Sequence, residues 1–148
     1  MSNFYTKDGI MYDENDKEVE IEEYGDEEYK KFRDEFESKS YLRLCIEQPL
    51  STTISSEENI VIHDDRSSCY EYSGLPKSES YKYINYLPIR AKNHEAIKLK
   101  QVLTEIMNCD FYSVNNKETK DCEYFNHVFL ENIARKPGTI QYELWLGS

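Results

Sequence analysis

The sequence predicts an α+β fold, a single domain with a mostly antiparallel sheet and one main amphipathic helix at about residues 93–107 packed on it. Three observations carry this. The strand-like segments meet through turn signals rather than alternating with helices. One stretch alone has a long apolar stripe at helical spacing. The chain has 148 residues, 39% of them hydrophobic and 14% aromatic, which suffices for one core and leaves little room for a second.

Charge divides the chain. Residues 8–37 hold 14 Asp or Glu against 4 Lys or Arg, whereas residues 38–148 hold 15 against 13, within a total of −11. Residues 1–37 therefore read as an acidic N-terminal arm, and residues 38–148 as the α+β globular domain. Like charges this close repel unless a cation or a basic partner answers them.

The elements follow in order. Ile10, Met11 and Tyr12 are a short apolar run, Asp13-Glu14-Asn15-Asp16 is a turn signal, and Val19 and Ile21 alternate with Glu18, Glu20 and Glu22, so a small hairpin is expected over residues 9–23. Asp26 can cap a helix at about 26–38, whose first turn carries Glu27 and Glu28, as the helix dipole favours. Tyr29, Phe32, Arg33 and Phe36 fall on one side of it. Tyr41 to Glu47 alternates with Leu42, Leu44 and Ile46 on one face, which predicts a half-buried strand closed by Pro49, with Cys45 as a small interior residue.

Asn59 to His63 reads as a second strand, residues 64–80 as a long irregular loop, and Tyr81 to Arg90 as a strand that Pro88 confines to an edge. Asn93 is the expected N-cap of the main helix, with Ile97, Leu99, Val102, Leu103 and Ile106 as its core stripe. Phe111 and Tyr112 suggest a brief strand. Residues 124–133 and 139–146 are two further strands, and the Pro137-Gly138 turn dipeptide lies between them. In the last strand Ile140, Tyr142, Leu144 and Leu146 share one face, and Thr139, Gln141, Glu143 and Trp145 the other.

Several function classes are excluded as expectations. No apolar run approaches the length of a membrane span, and no basic-then-apolar leader opens the chain, so a cytoplasmic protein is expected. The charge of −11 argues against direct binding to duplex nucleic acid. No Gly-rich phosphate loop, nucleophile elbow or H-E-x-x-H occurs. Cys45, Cys69, Cys109 and Cys122 lack zinc spacing, so free thiols, no metal and no cofactor are expected.

Two arrangements remain for chemistry. His63-Asp64-Asp65 at a strand end has the residue types of a general base with carboxylates, or of a plain polar strand end. His127 and Glu131 lie four apart on one strand, hence on one face. With Tyr81 and Tyr83 they are the candidates for a small-ligand site, and an enzyme is the less favoured reading.

The chain has 13 Tyr, 12 Ile, 13 Lys and 10 Asn but 3 Ala and 5 Arg, the usage of a small AT-rich genome such as a phage or virus. The leading expectation is a non-enzymatic interaction protein, an acidic inhibitor of the immunity or anti-defence kind in the host-cell cytoplasm, whose carboxylates stand where nucleic-acid phosphates would. Its partner would present a basic protein surface, that of a nuclease, toxin or nucleic-acid-binding protein. Glu18, Glu20, Glu22, Glu23, Asp26, Glu27, Glu28, Asp34 and Glu35 are the candidate partner-binding residues. The alternative is a viral structural or assembly protein that forms a homo-oligomer through its C-terminal strand.

Overall fold

The structure is a computed structural model and describes residues 5–7, 10–12, 15–16, 27–67, 71, 74–116 and 128–147. Strands β1 (Tyr5–Lys7) and β2 (Ile10–Tyr12) pair antiparallel. The hairpin expected over 9–23 lies largely outside the described residues, and β2 pairs with residues that precede it.

Helix α1 spans Glu27–Lys39. Its acidic first turn and its Lys39 in the last turn both suit the dipole. Tyr29, Phe32 and Phe36 are buried, and the Tyr29 hydroxyl donates to the Ile46 carbonyl at 2.8 Å. The core therefore reaches back into residues 1–37, because these aromatics sit in one cluster with Leu103, Ile106 and Tyr112.

The chain continues through β3 (Arg43–Leu44), β4 (Thr53–Ser55), β5 (Asn59–Asp65), the short α2 (Lys77–Ser80), a 3₁₀ turn (Tyr81–Tyr83) and β6 (Ile84–Arg90). Then come β7 (Ile97–Lys98), α3 (Leu99–Met107), a 3₁₀ turn (Asp110–Tyr112), β8 (Phe129–Arg135) and β9 (Gln141–Gly147). Five strands form one sheet in the order β3-β8-β9-β5-β6, and β4 pairs with β7 apart from it.

The sheet is mixed rather than mostly antiparallel. β5–β6 and β8–β9 are antiparallel, but β3–β8 and β5–β9 are parallel. Turn signals dictate the sense of strands that are close in sequence. The seam between the β8–β9 and β5–β6 pairs joins residues 80 apart in sequence, such as His63 and Glu143, so packing sets its sense.

Several expected elements are corrected. The main helix begins at Leu99, not Asn93: Asn93 and His94 have φ of 54° and 58°, left-handed values that end a turn rather than open a helix. Ile97 is instead held in β7, and the first α3 amides, Leu99 N and Lys100 N, donate to the Thr52 and Leu50 carbonyls at 2.8 and 3.0 Å. The core stripe itself stands, with Leu99, Val102, Leu103, Ile106 and Met107 buried. Phe111 and Tyr112 lie in a 3₁₀ turn, and Cys45 is exposed. The region read as a long irregular loop carries β5 on to Asp65 and contains α2.

The β3 edge is closed to further strand pairing, and the β6 edge is interrupted. On β3, Arg43 N and Cys45 N donate to β8, while the outward Leu42 N and Leu44 N go to Ser40 Oγ and Glu37 Oε2 at 3.1 Å each. On β6, Ala91 N donates to Glu58 O and Arg66 N to Tyr83 O. That alternation makes Val61↔Pro88 a non-hydrogen-bonded pair, so proline's missing N–H removes no ladder bond. The edge position expected from Pro88 is the one β6 occupies. The outward Arg90 carbonyl accepts from Gln101 Nε2 at 2.7 Å.

Glu37→Ala is expected to leave the Leu44 amide without its acceptor, at a cost of about 1–3 kcal/mol in urea unfolding. It should also promote association through the opened edge on size exclusion. The C-terminal strand is flanked by both β8 and β5 over Gln141–Glu143, whereas over Leu144–Gly147 it pairs with β8 alone among the described residues.

Candidate functional site

Alternation along the strands sorts the sheet into two faces. Ile60, Ile62, Ile89, Leu130, Ile133 and Tyr142 point into the core with the helices. Val61, His63 and Asp65 of β5, Tyr86 and Pro88 of β6, and Glu143 and Trp145 of β9 point the other way. The register aligns Tyr86, His63, Glu143 and Ala134 in one row across four strands. The His63 and Tyr86 rings stack with centroids 4.6 Å apart. Tyr86 is 60% exposed, Trp145 56% and Phe129 38%.

Two clefts flank β9 on this face. One, of about 200 Å³, opens where β5 and β9 stop pairing beyond His63↔Glu143, and His63, Asp64, Asp65, Glu143 and Leu144 line it. The other, of about 560 Å³, is lined by Cys45, Glu47, Glu131, Asn132 and Trp145 among others. A register break between Leu130 and Asn132 sets Glu131 as a bulge. Its carboxylate lies over Gly147.

Beneath the first cleft lies a buried polar network. Asp64 Oδ2 accepts from Arg66 Nη2 at 3.0 Å, Arg66 Nε at 3.2 Å and the Tyr112 hydroxyl at 2.8 Å. Arg66 Nη1 donates to the Tyr41 hydroxyl at 2.7 Å, and its guanidinium sits 5.0–5.6 Å from the ring centres of Tyr41, Phe111 and Tyr112. Burial works against the Arg66 charge, but Asp64 and the two tyrosine hydroxyls outweigh it and hold its pKa above the usual value. Burial, with Asp64 adding to it, pushes the Tyr112 hydroxyl well up.

This network separates His63 from Asp64. The two are neighbours in sequence, but Asp64 turns inward to Arg66 while His63 lies outward on Tyr86, so they form no acid–base pair. Asp65 shares the outer face, and the Ser67 hydroxyl and N–H both donate to its Oδ1. The Ser67 hydroxyl bond chiefly lowers the Asp65 pKa, slight burial opposes it, and the Ser67 amide and His63 add to the lowering.

A carboxyl lowered in the folded state stabilises above its unfolded value, near pH 3.9, and that stability is lost as pH falls through the folded value. Ser67→Ala is therefore expected to lower the urea midpoint at about pH 6 and to match the parent at about pH 2.

The residues expected to bind a partner divide. Glu18, Glu20, Glu22, Glu23 and Asp26 lie outside the described residues. Glu27, Glu28, Asp34 and Glu35 are exposed on α1. There Glu35 pairs with Lys39 at 3.2 Å and Glu28 with Lys100 at 3.5 Å, and Lys30 and Lys31 are exposed beside them, so this surface is mixed in charge.

Of the ligand-site residues, Glu131 is separated from Tyr81 and Tyr83. His127 lies outside the described residues, Tyr81 and Tyr83 enter the edge strand β6, and β5 and β9 stand between them and Glu131 on β8. Among the described residues no group of three or more His, Cys, Asp or Glu is placed to hold a metal ion, and no helix is long and apolar enough to cross a membrane. Of the row Tyr86–His63–Glu143, the sequence singles out His63 at its strand end and places Glu143 beside Trp145 on one face of the last strand, but not their alignment with Tyr86. Comparison with family models, with curated proteins and with solved structures finds no match to this chain.

Proposed function

We propose that the chain is a non-enzymatic protein-interaction module. It acts as an acidic inhibitor of the immunity or anti-defence kind, occupying a basic surface of a nuclease, toxin or nucleic-acid-binding protein in the host cytoplasm. The observation that carries the reading is the pair of exposed aromatics on the outer face of the sheet. Trp145 and Tyr86 stand more than half exposed among carboxylates on the face turned away from the core. Exposed aromatics set among polar groups are the make-up of a protein interface rather than of a reaction centre. The overall charge of −11 selects a cationic partner and speeds the encounter with it.

The test is a pull-down from source-cell lysate with the full chain as bait, washed at low and moderate salt, beside a full-length variant with Glu18, Glu20, Glu22 and Glu23 each changed to Lys. The expected result is a basic protein held at low salt, released by moderate salt and weakened by the charge reversal. A partner that is acidic, or indifferent to both salt and charge reversal, would overturn the proposal.

A further inference from the structure

We infer that the outer face around β9 is the docking surface, and that its occupant is a segment of the partner protein bearing arginine or lysine. This rests on the interaction reading above and adds where the partner lies and what it presents.

The lining of the two clefts carries the inference. Four acids are paired within the fold, Glu28 with Lys100, Glu35 with Lys39, Glu37 with Arg43 and Asp64 with Arg66, while others, Glu57 and Glu58 among them, are exposed without an ion pair among the described residues. On the outer face Asp65, Glu131 and Glu143 have no such cation among the described residues. Neither cleft beside β9 has a Lys or Arg in its lining, whereas the cleft along α3 has Lys92, Lys98 and Lys100. The two clefts beside β9 thus hold carboxylates with no cation in their lining, and a cation supplied from outside completes them.

The aromatic groups fit the same occupant. Trp145 stands two residues from Glu143 on the same face and shares its cleft with Glu131 and Glu47. Tyr86 presents a ring stacked on His63 next to Glu143. A guanidinium or ammonium group can lie against these rings while its protons reach the carboxylates, and its aliphatic stem covers apolar surface. Strand addition at β3 is blocked by side chains that cap its outward amides, and at β6 it is interrupted by Pro88. A second copy brought face to face would set the same carboxylates against one another.

Trp145 is the only tryptophan, so its emission reports this face directly. The probe is an aromatic-free peptide of alternating arginine and glycine, titrated into the full chain. A saturable change in Trp145 emission that weakens with salt is expected, with the amides of residues 63–65, 84–87 and 143–147 shifting first in NMR spectra. Glu131→Gln with Glu143→Gln should weaken binding about tenfold. Glu57→Gln with Glu58→Gln, in the turn between β4 and β5, removes the same charge and should change binding by less than about twofold.

No binding, binding without a change at Trp145 or those amides, or equal weakening by the two double variants would each overturn the inference. A peptide that binds but ignores the face, alongside a basic partner caught in the pull-down, would sink the docking site and leave the interaction reading standing. Failure of both the peptide and any basic partner would remove the two together.

Discussion

Replacing Arg66 with methionine is expected to cost about 3–5 kcal/mol of folding stability, a large share of what a domain of this size has. Arg66 is 1% exposed and Asp64 9%, so the Asp64 carboxylate would stay buried with the Tyr112 hydroxyl and lose both guanidinium bonds. The guanidinium also fills the space between Tyr41, Phe111 and Tyr112, and methionine restores part of that volume but no charge. Tyr112→Phe removes one bond to Asp64 and leaves the ion pair, so about 1–2 kcal/mol is expected there. Asp64→Ala combined with Arg66→Met should cost clearly less than the sum of the two single changes, since the double variant leaves no uncompensated charge. Urea unfolding of the four proteins checks this. A loss below about 1 kcal/mol for Arg66→Met would mean that the guanidinium is not the member holding the network.

The same network explains how the outer face keeps its shape. Asp64 inside and His63 and Asp65 outside are consecutive residues of β5, so fixing one from below fixes the others above. Arg66 variants would therefore disturb the face along with the core, and Glu131 and Glu143 are the residues whose substitution tests binding alone.

Local patterns in the sequence located the helix stripe on α3, the buried side of Leu42, Leu44 and Ile46, the edge position of Pro88 and the Pro137-Gly138 turn, where Gly138 takes φ of 75°. Each of these depends on residues within one or two turns of chain. What the sequence hid depends on distant partners. Asn93 has the chemistry of a cap, but the cap groups of α3 are backbone carbonyls at Leu50 and Thr52. Asp64 and Asp65 look equivalent in sequence, and only the strand pleat separates a buried partner of Arg66 from an exposed neighbour of Ser67. The candidate face joins His63 to Tyr86 and to Glu143, across separations that no periodicity records.

Phe36→Ala tests whether α1 is part of the domain or an appendage to it. The side chain is fully buried, in one cluster with Phe32, Tyr29 and the α3 residues Leu103 and Ile106. Truncating a buried phenylalanine loses its transfer energy and leaves a cavity that the neighbours fill only in part, about 3–5 kcal/mol in all. If α1 belongs to the cooperative core, the whole chain should unfold in a single transition at lower urea, with an unchanged slope. If α1 were an independent arm, the main transition would stay where it is and only helical signal at low urea would fall. Asp34→Ala, on the exposed side of the same helix, should leave the midpoint within about 0.5 kcal/mol of the parent. The expected cooperative loss has a consequence for the acidic arm. Deleting residues 1–37 would open the core at Tyr29, Phe32 and Phe36, so the arm's contribution to binding is measurable only by charge reversal in the full chain.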